Sequence, residues 1–436
     1  MLSWLRPAKH ITREPNAEVD VKYPRFRWQV LEATFIGYTV FYLTRNNLAP
    51  IRPEMQEALG LSLAETGDFL AATAISYGIG KFFMGAWSDR SNPRLFMPLG
   101  LLLTALVNFC FGFSSNYWVM MTLWAMNGLF QGMGWPPCGR SLGHWFSENE
   151  RGTMFAVWNI AHNVGGGLVG VLAAAAAGSF GWQYAFFVPG LIAIVTAIYL
   201  LLRLRDTPQS IGLPPIQEYR NDYPAGGKEH DHERELGSYE LFVENILLNR
   251  SLWIVALANF FVYIARYSPI DLGPSYLRAV RGADAMDGGY STLILEWAGI
   301  PSTLLLGWVS DKLGGRRGLV SLLCMLPVFL SFLGLWLLPA GYLWLDLTLF
   351  GVIGFFIYPP VMLLGVAGLD LTSKKAVGTA AGFIGLFGYI GRTVESAVFG
   401  RLVEAGGWGD ALLAMVACTV AAMFLLLFTI NLRPRA

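Results

Sequence analysis

Gly85-Ala86-Trp87-Ser88-Asp89-Arg90 returns later in the chain as Gly307-Trp308-Val309-Ser310-Asp311-Lys312. Each copy closes an apolar stretch of helical length. Further basic residues follow, Arg94 in the first case and Arg316 and Arg317 in the second. Two other echoes keep almost the same period. Tyr42-Leu43-Thr44-Arg45 returns as Tyr263-Ile264-Ala265-Arg266, and Trp135-Pro136-Pro137 as Tyr358-Pro359-Pro360. Three echoes at nearly one spacing describe a duplicated unit. In a membrane chain, a duplicated unit with a site where its copies meet is the physical signature of a secondary transporter.

The membrane setting follows from composition. The 436 residues are 54% hydrophobic and 14% charged, with mean hydropathy +0.48, more apolar than a soluble domain needs to fill its core. Apolar runs of roughly 20 residues, the length that crosses a bilayer with some tilt, lie at 28–49, 65–87, 96–113, 118–139, 154–177, 183–203, 251–276, 289–310, 318–338, 342–368, 377–400 and 408–431. The expected fold is an all-α membrane protein of twelve transmembrane helices in two pseudo-symmetric six-helix halves. Residues 1–27 precede the first half at 28–203, and a polar linker at 204–250 leads to the second half at 251–436. That linker carries Pro208, Pro214, Pro215, the Pro224-Ala225-Gly226-Gly227 turn and a charged run from Lys228 to Glu235.

The net charge of +1 says nothing about partners, but its placement orients the chain. Arg6, Lys9, Arg13, Lys22, Arg25 and Arg27 precede the first span. Arg90, Arg94, Arg140, Arg151, Lys312, Arg316, Arg317, Lys374, Lys375, Arg433 and Arg435, with the linker, mark every second loop and the tail. The alternate loops hold only Arg52, Arg278, Arg281 and Arg401. Both termini are therefore expected on the cytoplasmic side of the membrane. The segment at 1–27 shows no apolar signal core or cleavage site. Cys110, Cys138, Cys324 and Cys418 fall within spans without a CxxC spacing and read as packing residues. Motifs for nucleotide phosphates, zinc proteases and EF-hand calcium are absent from the sequence, so transport energy must come from gradients. The bilayer is an expected partner, with no nucleic acid, no cofactor and no metal, and the chain is expected to be monomeric.

Arg45 and Arg266 are the costly residues. A cation at membrane depth costs about 3 kcal/mol or more unless it faces protein or water and finds a partner. Two of them at equivalent positions suggest one site built by symmetry, and a pair of guanidinium forks suits an anion such as phosphate. Each follows a tyrosine by three positions, so on a helix phenol and guanidinium share a face. Tyr38 extends the first of these faces. The competing reading pairs each arginine with a buried carboxylate, Asp271 or Glu296, which would lock helices together.

His162, in His162-Asn163-Val164-Gly165-Gly166-Gly167, can match its charge to a phosphate ester because both titrate near neutrality; alternatively it bonds between helices. Lys81, one turn after Tyr77, either faces the cavity or snorkels to the interface. Tyr358 and Tyr389 are weaker lining candidates. Glu296 and Asp271 can balance Arg266 until an anion displaces them, although Asp271 is near enough to the outer interface to be solvated instead. Arg392 and Glu395, three positions apart, can pair along one helix face. Asp89, Arg90, Arg151, Asp311 and Lys312 are candidates for gating through charge pairs at the cytoplasmic face.

The repeated G-x-x-x-D-[RK] loops resemble those of the major facilitator superfamily. The stretch Arg151-Gly152, then Trp158-Asn159 and His162-Asn163-Val164-Gly165-Gly166, resembles the signature of its organophosphate:phosphate antiporter branch. Asp206-Thr207-Pro208-Gln209-Ser210-Ile211-Gly212-Leu213-Pro214-Pro215, Asn221-Asp222-Tyr223-Pro224 and Gly132 to Arg140 are most similar to members that carry glycerol-3-phosphate. The likeness runs from about residue 22 to the end of the last span. It implies an antiporter, not an enzyme, that exchanges a phosphate monoester, glycerol-3-phosphate first among candidates, for inorganic phosphate. It also implies that Arg45 and Arg266 hold the phosphoryl group and that His162, with Asn159 in the same signature, belongs to the substrate site. Hexose-6-phosphate or phosphoglycerate carriage, or a non-transporting sugar-phosphate sensor, are the alternatives within the branch. The chain departs from the glycerol-phosphate pattern at Asn46, where those members commonly have Lys, at Ser268-Pro269, and at Arg392 and Glu395. These positions bear on the organic part of the substrate.

Overall fold

In the computed structural model, which describes residues 3–222, 246–337, 342–372 and 377–432, every regular element is helical. In chain order they are α1 (Asn16–Leu43), α2 (Arg52–Leu59), α3 (Leu63–Ser88), α4 (Pro93–Phe113), α5 (Tyr117–Gln131), α6 (Trp135–Trp145), α7 (Glu148–Phe180), α8 (Tyr184–Arg203) and α9 (Ile216–Arg220). The second series is α10 (Arg250–Asp271), α11 (Gly273–Arg281), α12 (Ala285–Lys312), α13 (Arg317–Leu337), α14 (Leu343–Asp370), α15 (Val377–Gly406) and α16 (Trp408–Leu427).

Side chains set many boundaries. Asn92, Asn116 and Asn249 cap α4, α5 and α10 by accepting from the N–H of Arg94, Trp118 and Leu252 at 3.0, 3.0 and 3.1 Å. The short helices α2 and α11 both end on a left-handed glycine, Gly60 and Gly282, each at φ +66°. The interval between these two equals that between Gly85 and Gly307, which adds a fourth, structural echo to the duplication.

Nine helices among the described residues are long and apolar enough to cross a membrane: α3, α4, α7, α8, α10, α12, α13, α14 and α16. Three of the twelve expected spans differ from continuous apolar helices. The first ends at Leu43, short of the expected boundary at 49. The fourth is interrupted at Gly132–Gly134 between α5 and α6, where Pro136 and Pro137 supply no N–H to a preceding turn. The eleventh, α15, carries Arg392 and Glu395 in its interior. The cysteines are free thiols. Cys138 and Cys324 are buried and Cys418 is half-buried against the core, in keeping with packing, whereas Cys110 is exposed.

Two compact units emerge, and they cut across the sequence halves. One comprises Met1–Asn47, Ser76–Gly166 and Gln183–Glu233; the other comprises Leu48–Ile75, Gly167–Trp182 and Arg234–Ala436. In the first, Phe111 packs on Trp124 and Phe186 with ring centres 4.5 and 4.6 Å apart. Its start is pinned down. Leu5 is fully buried with Met84, Phe96 and Met133, and its carbonyl accepts from Asn92 N–H at 2.8 Å. Asp206 accepts from Ala8 N–H at 2.8 Å and pairs with Arg140 at 3.0 Å, while Tyr23 stacks on Tyr219 at 4.0 Å. Residues 204–222 are thus part of this unit as well as a linker. The turn at 224–227, the charged run, Lys374, Lys375, Arg433 and Arg435 lie outside the described residues.

The second unit takes in residues 48–75 because charged groups tie them to α10, α11 and α15. Arg278 donates to Glu54 and Glu57, both at 2.8 Å, and Arg401 to Asp68 at 2.8 Å. Arg52, 1% exposed, donates to the carbonyls of Asp271 and Leu63 at 2.7 Å each and to Thr66 Oγ1 at 3.1 Å. The end of α7 joins α12 through Gly170 and Gly289.

Candidate functional site

The residues expected to bind substrate form one cluster in each unit. In the first unit, Arg45 stands two positions past the end of α1, so the tyrosine and arginine do not share a helix as their spacing implied. Buried amides end the helix there. The Thr44 carbonyl, with no helical partner, accepts from Asn108 at 3.1 Å and Asn127 at 2.9 Å. Gln131 donates to the Thr44 hydroxyl at 3.1 Å, and Asn47 donates to Asn108 Oδ1 at 2.8 Å. This cluster presents Arg45 at a fixed place. Sequence reasoning passed over it because scattered Asn, Gln and Thr in apolar runs carry no periodic signal.

The Arg45 guanidinium lies 3.8 Å from the Tyr42 ring centre and 4.8 Å from that of Tyr77, and all three residues are buried. Such cation–ring contacts contribute about 1–2 kcal/mol once desolvated. Tyr38 meets Tyr42 edge-on at 5.5 Å and Trp158 at 4.8 Å. His162, half-buried, lies 5.8 Å from Tyr42. Its Nδ1 contacts the carbonyl of Asn159, which can only accept a hydrogen bond. Asn159 therefore acts here through its backbone. Lys81 is half-buried, with Nζ 5.2 Å from the Trp135 ring, and Asn46 is buried beside Arg45.

In the second unit Arg266 lies inside α10, against Tyr267 at 5.0 Å and Tyr358 at 4.7 Å. The first of these rings was not foreseen. Tyr263, three positions before Arg266, meets Tyr267 and Tyr389, each at 5.8 Å. Tyr358 rests on Gly299, where an added Cβ would come within 2.3 Å of the ring, so this glycine sets how close α12 and α14 come. Glu296, 1% exposed, lies within electrostatic reach of Tyr358, as does Arg266. A carboxylate thus stands in the second cluster, whereas the echo-related position of the first half holds Ala74.

Asp271 is buried, so the solvated reading is corrected: at 1% exposure it lies against α15. Arg392 reaches across to it at 3.7 Å and also stacks on Tyr267 at 3.9 Å. The side-by-side spacing of Arg392 and Glu395 along α15 does not foretell this partner, because the neighbouring helix brings a carboxylate within reach. Glu395 is fully buried and accepts from Ser396 Oγ at 3.1 Å. Pro269 sits in the last turn of α10, which it deprives of one N–H.

The gating candidates divide. Asp311 pairs with Arg317 at 2.5 Å, Arg317 also reaches Asp370 at 3.3 Å, and Lys312 lies 4.1 Å over Trp308. Asp89 and Arg90 are exposed, and among the described residues neither enters an ion pair. The nearby Arg94 instead donates to the Leu201 carbonyl at 2.8 Å. Arg151 binds the carbonyls of Gly143 and Phe146 at 3.1 and 3.3 Å, where a cation complements the end of α6. Among the described residues, no group of three or more His, Cys, Asp or Glu could hold a metal ion.

The family model for the Major Facilitator Superfamily matches residues 34–394. The chain is 44% identical to the glycerol-3-phosphate transporter of Bacillus subtilis (strain 168), over 100% of this chain and 99% of that one. It is 39% identical to a probable hexose phosphate transport protein of Chlamydia pneumoniae, over 98% and 96% of the two chains. A crystal structure of a bacterial homologue of the human lysosomal transporter Spinster, inward-facing and occupied, superposes with TM-score 0.74. It covers 93% of this chain and 97% of that one, and at 16% identity the likeness concerns the fold.

Proposed function

We propose, from the premise that this chain belongs to the major facilitator superfamily, that it is a multi-pass membrane antiporter exchanging glycerol-3-phosphate for inorganic phosphate by alternating access. The observation that carries the reading is the pair of arginine cradles. Each compact unit buries one arginine at echo-related positions and clamps it between two tyrosine rings, Arg45 on Tyr42 and Tyr77, Arg266 on Tyr267 and Tyr358. The aromatic faces orient each guanidinium, whose planar fork of donors matches the oxygens of a phosphoryl group. Arg45 and Arg266 are both required to recognise the phosphoryl group in this account, and His162, beside Tyr42, adjusts the local charge to the ester's protonation state. The 44% identity to a glycerol-3-phosphate transporter supports the organic moiety.

Exchange rather than leak follows from electrostatics. A buried cation without its anion resists rearrangement; a bound phosphate neutralises it and lowers that barrier. Uptake then runs on the outward phosphate gradient. In this reading the chain spans a bacterial inner membrane as a monomer, and its basic loops support cytoplasmic termini. Counterflow of labelled phosphate in proteoliposomes, competed by glycerol-3-phosphate, glucose-6-phosphate and phosphoglycerates, tests the reading. Strong competition by glycerol-3-phosphate supports it, and indifference to all three esters rejects it.

A further inference from the structure

Asp271 on α10 and Glu395 on α15 meet at a place the phosphate account does not use. Both are buried, at 1% and 0% exposure, and their side chains lie within hydrogen-bonding reach of each other. Ser396, 4% exposed, bridges them, its Oγ 3.3 Å from Asp271 Oδ2 and 3.1 Å from Glu395 Oε2. One hydroxyl proton can serve only one of the two carboxyls at a time. Glu395 Oε1 is buried and accepts no hydrogen bond.

The charged groups facing the pair are Arg52 from α2 and Arg392 from α15. Arg52 spends its hydrogen bonds on the carbonyls of Asp271 and Leu63 and on Thr66 Oγ1. Arg392 Nη2 stands 3.7 Å from Asp271 Oδ2, beyond hydrogen-bond distance. Farther along α15, Glu404 is exposed and accepts from Ala64 N–H at 2.7 Å, and Arg401 is taken up by Asp68. The two buried guanidiniums act on the carboxyls as charges at a distance. Two buried carboxylates in contact, sharing one hydroxyl donor, are too costly to stay doubly ionised.

We propose that Asp271 and Glu395 form a proton-binding site, sharing one proton as a carboxylic acid hydrogen-bonded to a carboxylate. Loading takes one proton from water, forms one O–H bond and removes one negative charge; unloading returns it. The pair titrates as a unit, so the proton belongs to neither residue alone. Arg52 couples the site to the fold, since its hydrogen bonds join α2 and the start of α3 to α10. Breaking them would admit water to the pair and release the proton. Nothing in this inference depends on which anion is carried.

Infrared difference spectroscopy of the purified full-length protein, without phosphate, tests it. At neutral pH the wild-type protein should show the C=O stretch of one protonated carboxylic acid that shifts in deuterium oxide and disappears in Glu395→Gln. Wild-type and Glu395→Gln spectra that coincide in this region would overturn the proposal. Ser396→Ala supplies a second reading with both carboxyls in place. Loss of the donor to the anion should move the pH at which the band is lost upward by about one unit, and an unmoved band would also count against the shared proton.

Discussion

The guanidinium of Arg266 lies 4.7 Å from the centre of the Tyr358 ring. The two residues sit on different helices, α10 and α14, so the ring orients the cation from outside its own backbone. Tyr358→Phe keeps the ring and should leave the apparent affinity for phosphate within about twofold of wild type. Tyr358→Ala removes a contact of about 1 kcal/mol and should weaken it about fivefold. Concentration dependence of phosphate counterflow distinguishes the two; equal effects would assign the ring's role to its hydroxyl.

Glu296 stands in the Arg266 cluster, whereas the equivalent place in the first half is Ala74. In the proposed site such a carboxylate competes with the incoming anion for the guanidinium. Glu296→Gln should therefore tighten phosphate binding, by about fivefold for a competing interaction near 1 kcal/mol, while slowing turnover because the empty cation is less well balanced. Binding of labelled phosphate in detergent, set beside exchange rates in vesicles, separates the two effects. Weaker binding would show that Glu296 supports the site instead.

Gly170 and Gly289 face each other so closely that a Cβ on the first would lie 2.6 Å from the carbonyl oxygen of the second, and the reverse contact would be 2.7 Å. Backbone cannot yield as a flexible side chain does, and overpacking of this kind costs about 1–3 kcal/mol. Gly289→Val should depopulate the arrangement described here and cut exchange about tenfold. A cysteine placed at Thr292, which is 2% exposed, should then react with a water-soluble maleimide. Unchanged labelling would mean the helices stay together.

Glu150, at the start of α7 and outside the apolar spans, shows a pH-dependent contribution of known sign. Burial alone would raise its carboxyl, but hydrogen bonds from Arg27 and from the N–H of Ser147, with the charge of Arg27 and Arg220, hold it below the usual value of 4.5. A carboxyl lowered in the folded state contributes stability that is present above its usual value and lost as pH falls through the lowered one. Melting temperature should therefore drop more steeply below about pH 4.5 in wild type than in Glu150→Gln. Parallel curves would contradict the assignment.

What was legible in the sequence was whatever repeats or costs energy. Asp89 and Asp311, Arg45 and Arg266 expose the duplication because loop charges and buried cations tolerate little change. The helical class and the membrane setting follow from apolar length. The end of α1 at Leu43 was not legible, since no glycine or proline marks it; Asn108, Asn127 and Gln131, distant in sequence, satisfy the freed backbone. Tyr267 escaped notice because a neighbour one position away on a helix points elsewhere by default. Its contact with both Arg266 and Arg392 depends on how α10 and α15 pack. The partner of Arg392 was hidden for the same reason: Asp271 lies on another helix, remote in sequence, and 3.7 Å away in space.

The central claim is that Arg45 and Arg266 are each required for recognition of the phosphoryl group. Proteoliposomes loaded with inorganic phosphate and given labelled external phosphate measure this directly for wild type, Arg45→Ala and Arg266→Ala, with melting temperature checked for each. The account predicts brisk counterflow in wild type and its loss in each single variant, with the fold intact. Counterflow that survives either substitution would contradict it.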